Sequence, residues 1–478
     1  MSGQRRVTVV ETVHGPVGGY ADGDSVLSFR GIPYAAPPVG PRRFEPPEPP
    51  KPWTDVRDAE AYGPTAPHVR AEGPVAELLP SQPIPGDDYL NLNVWTSDIE
   101  GAKPVMVFIH GGSFTSGSGA IPTYNGARFA RNGVVLVTIN YRLGADGFLW
   151  FGEGTPNLGL LDQIAALAWV RDNIQAFGGD PAAVTVFGES AGAMSICTLL
   201  AMPAAAGLFR RAIAQSGAAS CVIGTDSAAR VGTRLAEILG VAATREALAT
   251  VPMPQLLAAQ SQLAQEVVVE PDPSRWADVA PNMMPFEPVI DGQVLPEAPI
   301  DALRRGVSAD VDILIGTNAD EGNLFFVPTD FVRVADWRAL DHFVRARGFP
   351  LELVDTYRSA RPEASAGELV SVIMTEEFYR VPALEIARAH PGTYVYEFAW
   401  GSPAYDGRIG ACHALELPFV FDNLDDPGFA VLLGENPPRE VAESMRRAWA
   451  AFASCGDPGW SPYDANADRL VQRFGASD

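Results

Sequence analysis

The segment Gly188-Glu-Ser-Ala-Gly192 combines the residue types that place a serine nucleophile on a tight turn. A β-branched run at 184–187 leads into it, and residues 193–200 can continue as a helix. On such a strand–turn–helix the hydroxyl is exposed, and the flanking glycines leave room for the crossing backbone. The segment therefore predicts Ser190 as a nucleophile. The alternative is an ordinary turn, because 46 of the 478 residues are glycine and chance matches occur.

A serine hydroxyl is a poor nucleophile at neutral pH and needs a base beside it. Of the six histidines, His413 lies late in the chain, between a β-like run at 394–398 and an apolar stretch at 415–421. The residues alone make it one candidate base among the six. From the residues alone, a histidine satisfied within the core is the competing interpretation, and a metal site that uses His413 and Glu416 is a second.

The elements that must position these residues alternate between strand and helix. This alternation predicts an α/β protein with a mostly parallel sheet flanked by helices. Strands are predicted at 90–95, 105–109, 134–140, 184–187, 212–215, 311–316 and 394–398, and helices at 157–177, 226–240, 334–346, 376–389 and 438–454. We expect a single domain over residues 1–478, in which an insertion at about 222–300 helps to cover the site.

The composition excludes several classes of protein. A net charge of −23 argues against nucleic-acid binding, which requires a basic face. No run approaches the ~20 apolar residues of a membrane span, so we expect no insertion into a membrane. The four cysteines are widely scattered, which argues against a disulfide framework and a cysteine-based metal site. The apolar stretch after the Arg pair in residues 1–11 is too short for a secretory signal, so we expect a cytoplasmic location.

Motifs spread over nearly the whole chain resemble the type-B carboxylesterase family, the carboxylesterase and cholinesterase branch of the α/β-hydrolase fold, in its bacterial para-nitrobenzyl-esterase-like form. The segments that carry the resemblance are Phe29-Arg-Gly-Ile-Pro-Tyr-Ala35, Asp88-Tyr-Leu-Asn-Leu-Asn-Val-Trp95, Asn157-Leu-Gly-Leu-Leu-Asp-Gln163, Asn173-Ile-Gln-Ala-Phe-Gly-Gly-Asp180, Ala214-Gln-Ser-Gly217, Pro288-Val-Ile-Asp-Gly292, Gly316-Thr-Asn-Ala-Asp-Glu-Gly322 and Gly456-Asp-Pro-Gly-Trp-Ser-Pro-Tyr463. The resemblance implies an α/β-hydrolase fold with a central, mostly parallel mixed sheet flanked by helices. It also implies insertions that form a gorge over the active site.

The resemblance implies a catalytic triad. Ser190 matches the family's nucleophile, His413 its base, and Glu321 its acid, which follows the predicted strand at 311–316. The chain order serine, acid, histidine is the order of the α/β-hydrolase fold. Asp320 is the fallback acid and is expected to point elsewhere. Ser216 matches a serine that hydrogen-bonds within the triad in the family.

An oxyanion hole is expected on the loop after an early strand and directly after the nucleophile. By resemblance its donors are the backbone N–H groups of Gly112, Ser113 and Ala191. Gly111 supplies the turn of this loop, and Glu189, next to the nucleophile, is expected to support the site. Many relatives have glycine where this chain has Ser113, so its side chain is expected to narrow the pocket or add a hydrogen bond.

A substrate pocket is expected to suit apolar acyl or aryl groups. An ordinary packing role in the core is the alternative for all of its candidate residues. The candidates are Phe114, Met283, Met284, Phe286, Phe325 and Phe326.

The expected activity is that of a serine carboxylic ester hydrolase acting through an acyl-enzyme on small to medium apolar or aryl esters. No metal or organic cofactor is expected, and the partners are the ester and water. The oligomeric state stays open, and a monomer is compatible with the sequence. The alternatives are an enzyme specialised for carbamates or for xenobiotic, toxin or polyester-fragment esters, a lipase active at an oil interface, and a non-catalytic cholinesterase-like binding protein.

Overall fold

The computed structural model describes residues 7–22, 25–70, 72–467 and 469–475. Strands are numbered along the chain: β1 Thr8–Thr12, β2 Gly15–Ala21, β3 Leu27–Pro33, β4 Arg57–Asp58, β5 Asn91–Thr96, β6 Lys103–Ile109, β7 Val135–Ile139, β8 Gly179–Glu189, β9 Arg211–Gln215, β10 Ile223–Gly224, β11 Val289–Ile290, β12 Asp312–Asn318, β13 Tyr394–Phe398 and β14 Gln472–Phe474.

The α-helices are α1 Ala127–Arg131, α2 Gly144–Phe148, α3 Leu158–Asn173, α4 Ala191–Leu199, α5 Thr225–Leu239, α6 Arg245–Ala249, α7 Met253–Val269, α8 Pro273–Trp276, α9 Val279–Asn282, α10 Pro299–Arg304, α11 Asn323–Phe326, α12 Phe331–Val334, α13 Trp337–Ala346, α14 Glu352–Ala360, α15 Ala366–Ile373, α16 Val381–Ala389, α17 Leu417–Val420, α18 Ala430–Leu433 and α19 Arg439–Cys455. A π-helix, Met374–Arg380, joins α15 to α16.

One mixed sheet organises the fold. Within the described ranges it has twelve strands, in the order β1-β2-β3-β5-β7-β6-β8-β9-β12-β13-β14, with β4 beside β2. The pairs from β7–β6 to β13–β14 are all parallel, whereas β1, β2, β3, β5 and β7 pair antiparallel at the other end. The carboxyl ends of the central strands therefore meet at one edge of the sheet, where α/β proteins build their sites.

Alternate side chains of each central strand pack into two hydrophobic cores, one on each face of the sheet. In β6, Val105, Val107 and Ile109 belong to one core, and Met106 and Phe108 belong to the other. Helices cover both faces of such a parallel sheet, so both side-chain sets must be apolar. This is why the central strands appear in the sequence as continuous hydrophobic runs rather than as alternating patterns.

The predicted fold class is confirmed, and each of the seven predicted strands coincides with an observed one. Two predicted helices need correction. The helix expected at 334–346 begins only at Trp337, because the Asp336 side chain accepts a hydrogen bond from Ala339 N at 2.9 Å and caps α13 there. The helix expected at 376–389 starts as the π-helix and becomes α-helical at Val381.

The expected insertion at about 222–300 contains helices α5–α9, the start of α10 and the parallel pair β10–β11. Its residues Asn282, Met283 and Met284 reach the wall of a cavity described below. The expectation of one domain over the whole chain stays a prediction. Among the residues described above, none of the helices combines the length and the apolar character that crossing a lipid bilayer requires.

A buried ion pair anchors the loop after β7 to helix α3. Arg142 and Asp162 have no exposed side-chain surface, and their closest atoms, Nη2 and Oδ1, lie 2.7 Å apart. Arg142 Nε donates to Asp162 Oδ2 at 2.8 Å. The preceding residue, Tyr141, donates its hydroxyl to His110 O at 2.8 Å. The ion pair therefore helps to fix Tyr141, whose hydroxyl supports the loop that follows β6.

We expect Asp162→Asn to lower the free energy of unfolding by about 3–5 kcal/mol, because it leaves the Arg142 charge buried without its partner. Urea denaturation measures the change. Asp172→Asn is the matched control, since Arg171 and Asp172 form an exposed pair, and we expect no measurable change there. Equal losses in the two variants would contradict the anchoring role.

Candidate active site

A strained turn joins β8 to α4. Strand β8 ends at Glu189, and Ser190 has φ 55° and ψ −125°, a conformation that residues other than glycine rarely adopt. Helix α4 begins at the next residue. The turn is fixed by two backbone hydrogen bonds, from Ser190 N to Gln215 O and from Met194 N to Ser190 O, both 2.9 Å. The local conformation is that of a nucleophile elbow.

The predicted reason for the two glycines is confirmed. A Cβ atom added at Gly188 would lie 2.6 Å from Ile109 O and 2.9 Å from the carbonyl carbon of Gly192. One added at Gly192 would lie 2.0 Å from the same oxygen. Because backbone atoms cannot yield as a flexible side chain can, a larger residue at either position would displace β6 or the turn.

The sheet order brings the predicted site residues to one edge. Strands β6, β8, β9 and β12 are successive parallel neighbours. Gly111 follows β6 and Ser190 follows β8, and a Cβ added at Gly111 would lie 3.0 Å from Ser190 Cβ. Ser216 follows β9, and Glu321 lies three residues after the end of β12. Residues more than 200 positions apart in the sequence therefore share one site.

His413 is held by Glu321. Its Nδ1 lies 2.7 Å from Glu321 Oε2, and the Glu321 side chain is completely buried. The second oxygen of this carboxylate accepts Asn318 N at 2.7 Å. Both oxygens are therefore fixed, and the carboxylate orients the imidazole by its Nδ1 atom.

The other imidazole nitrogen faces a second carboxylate. His413 Nε2 lies 3.1 Å from Glu189 Oε1, and both side chains are buried. The Ser190 hydroxyl makes no hydrogen bond to His413 or to any other described residue. In this resting arrangement the imidazole lies between two carboxylates. A hydrogen bond between Ser190 and His413 would therefore have to form when a substrate arrives, as catalytic hydrogen bonds often do.

The two carboxylates change the titration of the imidazole. Burial by itself would lower the pKa of His413, but the charges of Glu189 and Glu321 outweigh it and raise this pKa to about 9. Burial also raises the pKa of Glu189, to about 8, although His413 partly opposes the shift. The site therefore retains a proton that an ordinary histidine would have lost at neutral pH.

We expect Glu189→Gln to move the acidic limb of the kcat/KM profile to lower pH, by about one to two units. A general base must be neutral, so activity is lost as the pH falls through the pKa of His413. Removing a carboxylate destabilises the imidazolium and lowers that pKa. Glu443→Gln on the exposed face of α19 is the matched control for the charge change. A limb that does not move in Glu189→Gln, or that moves equally in Glu443→Gln, would contradict the assignment.

The loop after β6 presents free backbone donors. Gly112 has φ 113° and Ser113 has φ 53°, so two consecutive residues adopt positive φ. Within the described part of the chain, neither amide donates a hydrogen bond to a backbone or side-chain acceptor. Ala191 is the first residue of α4, where an amide has no acceptor inside the helix. The three predicted donors are therefore available to a ligand.

His110 supports this loop and takes no part in proton transfer at neutral pH. Its Nδ1 atom lies 2.8 Å from Gly111 O, and its ring stacks on Tyr141 with centroids 4.5 Å apart. Burial lowers the pKa of His110 to about 4, so the ring is neutral. His110 therefore has a structural role in this loop.

Two further predictions have different outcomes. Asp320 does point elsewhere, because its Oδ2 accepts Ala411 N at 2.9 Å. The hydrogen bond expected of Ser216 is absent, since its Oγ is buried and has no partner among the described residues. The Ser216 backbone has φ 50°, and its N–H donates to Gly316 O at 2.8 Å. This backbone bond, rather than the hydroxyl, ties Ser216 to the neighbouring strand β12.

A further buried carboxylate, which the sequence suggested only as a metal ligand beside His413, belongs to the cluster around the imidazole. Glu416 is fully buried and accepts hydrogen bonds from Asn318 Nδ2 at 2.7 Å and Gln215 Nε2 at 3.1 Å. Its distance of three residues from His413 was the only signal in the sequence. Within the described residues no group of three or more His, Cys, Asp or Glu side chains is arranged to hold a metal ion.

Two cavities meet at Ser113 and Phe325. One, of about 390 Å³, includes Gly111, Gly112 and Glu189 in its wall. The other, of about 500 Å³, is mostly apolar. Of the predicted pocket residues, the second cavity is lined by Met283, Met284, Phe325 and Phe326.

Two predicted pocket residues belong to the core instead. Phe114 and Phe286 are completely buried and line neither cavity. Phe114 packs against Phe148 with ring centroids 4.9 Å apart, and its backbone has a positive φ of 59°. The sequence offered no signal for another wall residue, Tyr379, whose ring centroid lies 5.0 Å from that of His413.

A mixed sheet with a serine on a strained strand-to-helix turn defines the α/β-hydrolase class. The sequence model described as the Carboxylesterase family matches residues 6–472. The chain therefore belongs to the carboxylesterase family, and it is a serine carboxylic ester hydrolase.

Known relatives cover almost the whole chain. Para-nitrobenzyl esterase of Bacillus subtilis (strain 168) is 40% identical over 473 residues, which are 94% of this chain and 90% of that protein. Phenmedipham hydrolase of Pseudarthrobacter oxydans is 37% identical over 469 residues, with the same two coverages of 94% and 90%. The crystal structure of the Geobacillus stearothermophilus carboxylesterase EST55 at pH 6.2 superposes with a TM-score of 0.84 at 40% identity, covering 98% of this chain and 96% of that one.

Proposed function

We propose that this protein hydrolyses small to medium apolar or aryl carboxylic esters through a Ser190–His413–Glu321 triad and an acyl-enzyme. The observation that carries the proposal is the 2.7 Å contact between His413 Nδ1 and Glu321 Oε2 beside the strained turn at Ser190. The similarity to para-nitrobenzyl esterase supports aryl esters as substrates.

The first half-reaction forms the acyl-enzyme. His413 Nε2 takes the Ser190 hydroxyl proton as the oxygen attacks the ester carbonyl carbon. The N–H groups of Gly112, Ser113 and Ala191 stabilise the resulting oxyanion, each contributing roughly 3–4 kcal/mol. Collapse of the tetrahedral intermediate breaks the bond to the alcohol, which leaves with the proton from His413. Glu321 stabilises the imidazolium throughout.

The second half-reaction clears the acyl group. His413 takes a proton from water, whose oxygen attacks the acyl carbonyl carbon, and then returns the proton to Ser190 as the acid leaves. Glu189 favours the imidazolium in both halves because it lies 3.1 Å from Nε2. It also competes with Ser190 for the same nitrogen. Because a general base must be unprotonated, His413 is active in its neutral form.

The alternative is that the substrates of this protein resemble those of phenmedipham hydrolase, the second relative described above. Phenmedipham hydrolase has the same coverage at 37% identity, so membership of the family does not by itself select the ester. A carbamate or a specialised ester would use the same residues in the same roles. The shape and the lining of the two cavities would then determine which substrate is bound.

The test is turnover of p-nitrophenyl esters from acetate to decanoate by the wild-type enzyme and Ser190→Ala, measured side by side. Activity that depends on Ser190 supports the proposal, and its chain-length profile measures the size of the apolar cavity. A folded wild-type protein that turns over none of these esters would overturn it. A rate increase confined to concentrations above the substrate's solubility limit would indicate a lipase instead.

A further inference from the structure

Arg347 is a nearly buried cation in the wall of the apolar cavity. It lies directly after α13, and only 7% of its surface is exposed. Its Nε and Nη1 atoms are buried and have no hydrogen-bond partner, and within the described ranges it forms no ion pair. A buried charge without an acceptor is strongly destabilising, so buried arginines are normally paired.

Among the residues that the structure describes, none forms an ion pair that neutralises this charge. Phe343 and Phe378 face the guanidinium, with ring centroids 5.2 and 5.0 Å from its carbon atom. Burial lowers the pKa of Arg347 to about 10, so it stays protonated at neutral pH. The acidic side chain that influences it is Glu287, but burial raises the pKa of this carboxyl well above its ordinary value, which disfavours its charged form.

Two further groups around Arg347, a phenol and a thiol, are uncharged at neutral pH. Burial raises the pKa of the Tyr379 phenol and of the Cys221 thiol well above their ordinary values. His342 lines the cavity as well, but its side chain is at the exposed mouth. The guanidinium is therefore the dominant charge inside a cavity whose wall is otherwise mostly methionine, aromatic and small apolar side chains.

The cavity is connected to the reacting residues. The ring of His413 contacts Tyr379 with centroids 5.0 Å apart, Tyr379 contacts Phe378 at 4.9 Å, and the guanidinium lies 5.0 Å from Phe378. Both aromatic residues belong to the π-helix. Ser113, in the proposed oxyanion hole, lies in the wall of the same cavity.

An occupant must combine an apolar body with an anionic end. A carboxylate meets the second requirement, because it accepts two parallel hydrogen bonds from the planar guanidinium. An alkyl or aryl chain meets the first, because it fills a space of about 500 Å³ lined by Met283, Met284 and phenylalanine side chains. A fully apolar acyl group would fill the cavity but leave Arg347 without a partner.

We propose that the acyl pocket of this esterase selects acyl groups that end in a carboxylate, which Arg347 binds at the far end of the cavity. The substrates are then half-esters of dicarboxylic acids or close analogues. This inference rests on the proposed esterase function and names its substrate class. Arg347 is a specificity residue that contacts the substrate away from the reacting carbonyl.

The experiment compares matched substrates. Mono-p-nitrophenyl esters of adipic, suberic and sebacic acids are measured against p-nitrophenyl esters of the same length that end in a neutral primary amide. Rates are divided by those of uncatalysed hydrolysis, which removes intrinsic reactivity. We expect the wild-type enzyme to prefer the carboxylate at one chain length by about 10- to 100-fold in kcat/KM, the range of a charged hydrogen-bonded pair.

Two variants identify the residue responsible. Arg347→Met keeps an unbranched apolar side chain without the charge, and we expect the carboxylate-to-amide ratio to fall to about 1. Arg345→Gln removes a positive charge from the exposed face of α13 two residues earlier, and we expect the wild-type ratio there. A wild-type enzyme that hydrolyses the amide-ended esters but shows no carboxylate preference, or a preference that survives Arg347→Met, would overturn the inference.

A second measurement does not depend on a folded variant. Free suberate should inhibit wild-type hydrolysis of p-nitrophenyl acetate competitively, with an inhibition constant about tenfold or more below that of octanamide. Equal inhibition constants would overturn the carboxylate site and leave the esterase proposal intact. A wild-type protein that turns over neither series of esters would overturn both.

Discussion

Ser190→Ala is expected to lower kcat/KM for p-nitrophenyl esters by about 10³- to 10⁶-fold, because it removes the oxygen that forms the acyl-enzyme. The residual rate would come from substrate binding and from the free amides of Gly112, Ser113 and Ala191. The loss should lie in kcat, since the hydroxyl makes no contact that binds the ground state. Stopped-flow release of p-nitrophenolate should show a burst in the wild-type enzyme and none in the variant.

Ser195→Ala is the control for this loss. Ser195 lies on the same helix and accepts a hydrogen bond from Gln163 Nε2 at 3.0 Å, in the core below the site. We expect it to retain wild-type chemistry. If Ser190→Ala keeps more than about a tenth of wild-type activity, or if a phosphonate ester labels it as fast as the wild-type enzyme, another residue is the nucleophile.

Glu321→Gln is expected to lower kcat by about 10³- to 10⁴-fold with little change in KM. The carboxylate holds His413 by Nδ1 at 2.7 Å, so the neutral ring carries its proton on Nδ1, and Nε2 can accept the Ser190 proton once it leaves Glu189. An amide can present its NH₂ group to Nδ1 instead, which places the ring proton on Nε2 and blocks proton transfer. Steady-state kinetics on one aryl ester separate kcat from KM.

Asp320→Asn tests the neighbouring carboxylate in the same assay. Its Oδ2 accepts Ala411 N at 2.9 Å and does not contact the imidazole. We expect a small change in kcat, caused by a slightly altered loop. If Asp320→Asn were the variant that lost activity and Glu321→Gln were not, the acid of the proposed triad would be wrong.

Local sequence patterns were sufficient to predict the strands of the central sheet and the nucleophile elbow. The seven strands coincide with apolar runs because both faces of the central sheet are covered, so every residue of such a strand is selected for burial. The turn at Ser190 was predictable because its two glycines act within five residues of sequence. The same locality explains why Glu321 and His413 needed a family resemblance: neither lies in a sequence pattern of its own.

The residues that line the pocket were predicted only in part, because local sequence does not determine which side chains face the cavity. Met283, Met284, Phe325 and Phe326 do line the apolar cavity, whereas Phe114, like Phe286, lies in the core. Whether an aromatic residue near the site packs in the core or lines the cavity depends on its neighbours from other elements. Residue type alone does not decide it.

The sequence by itself determined the fold class, the strands that end at the site and the serine on its strained turn. Only the tertiary structure decided that His413 Nε2 faces Glu189, that Glu416 is buried behind the imidazole and that Arg347 lies unpaired in the acyl cavity. The physical reason is the separation in sequence between the residues that interact. Periodicity, caps and turns act between residues a few positions apart, whereas the surroundings of these side chains form only when the sheet order brings distant segments together.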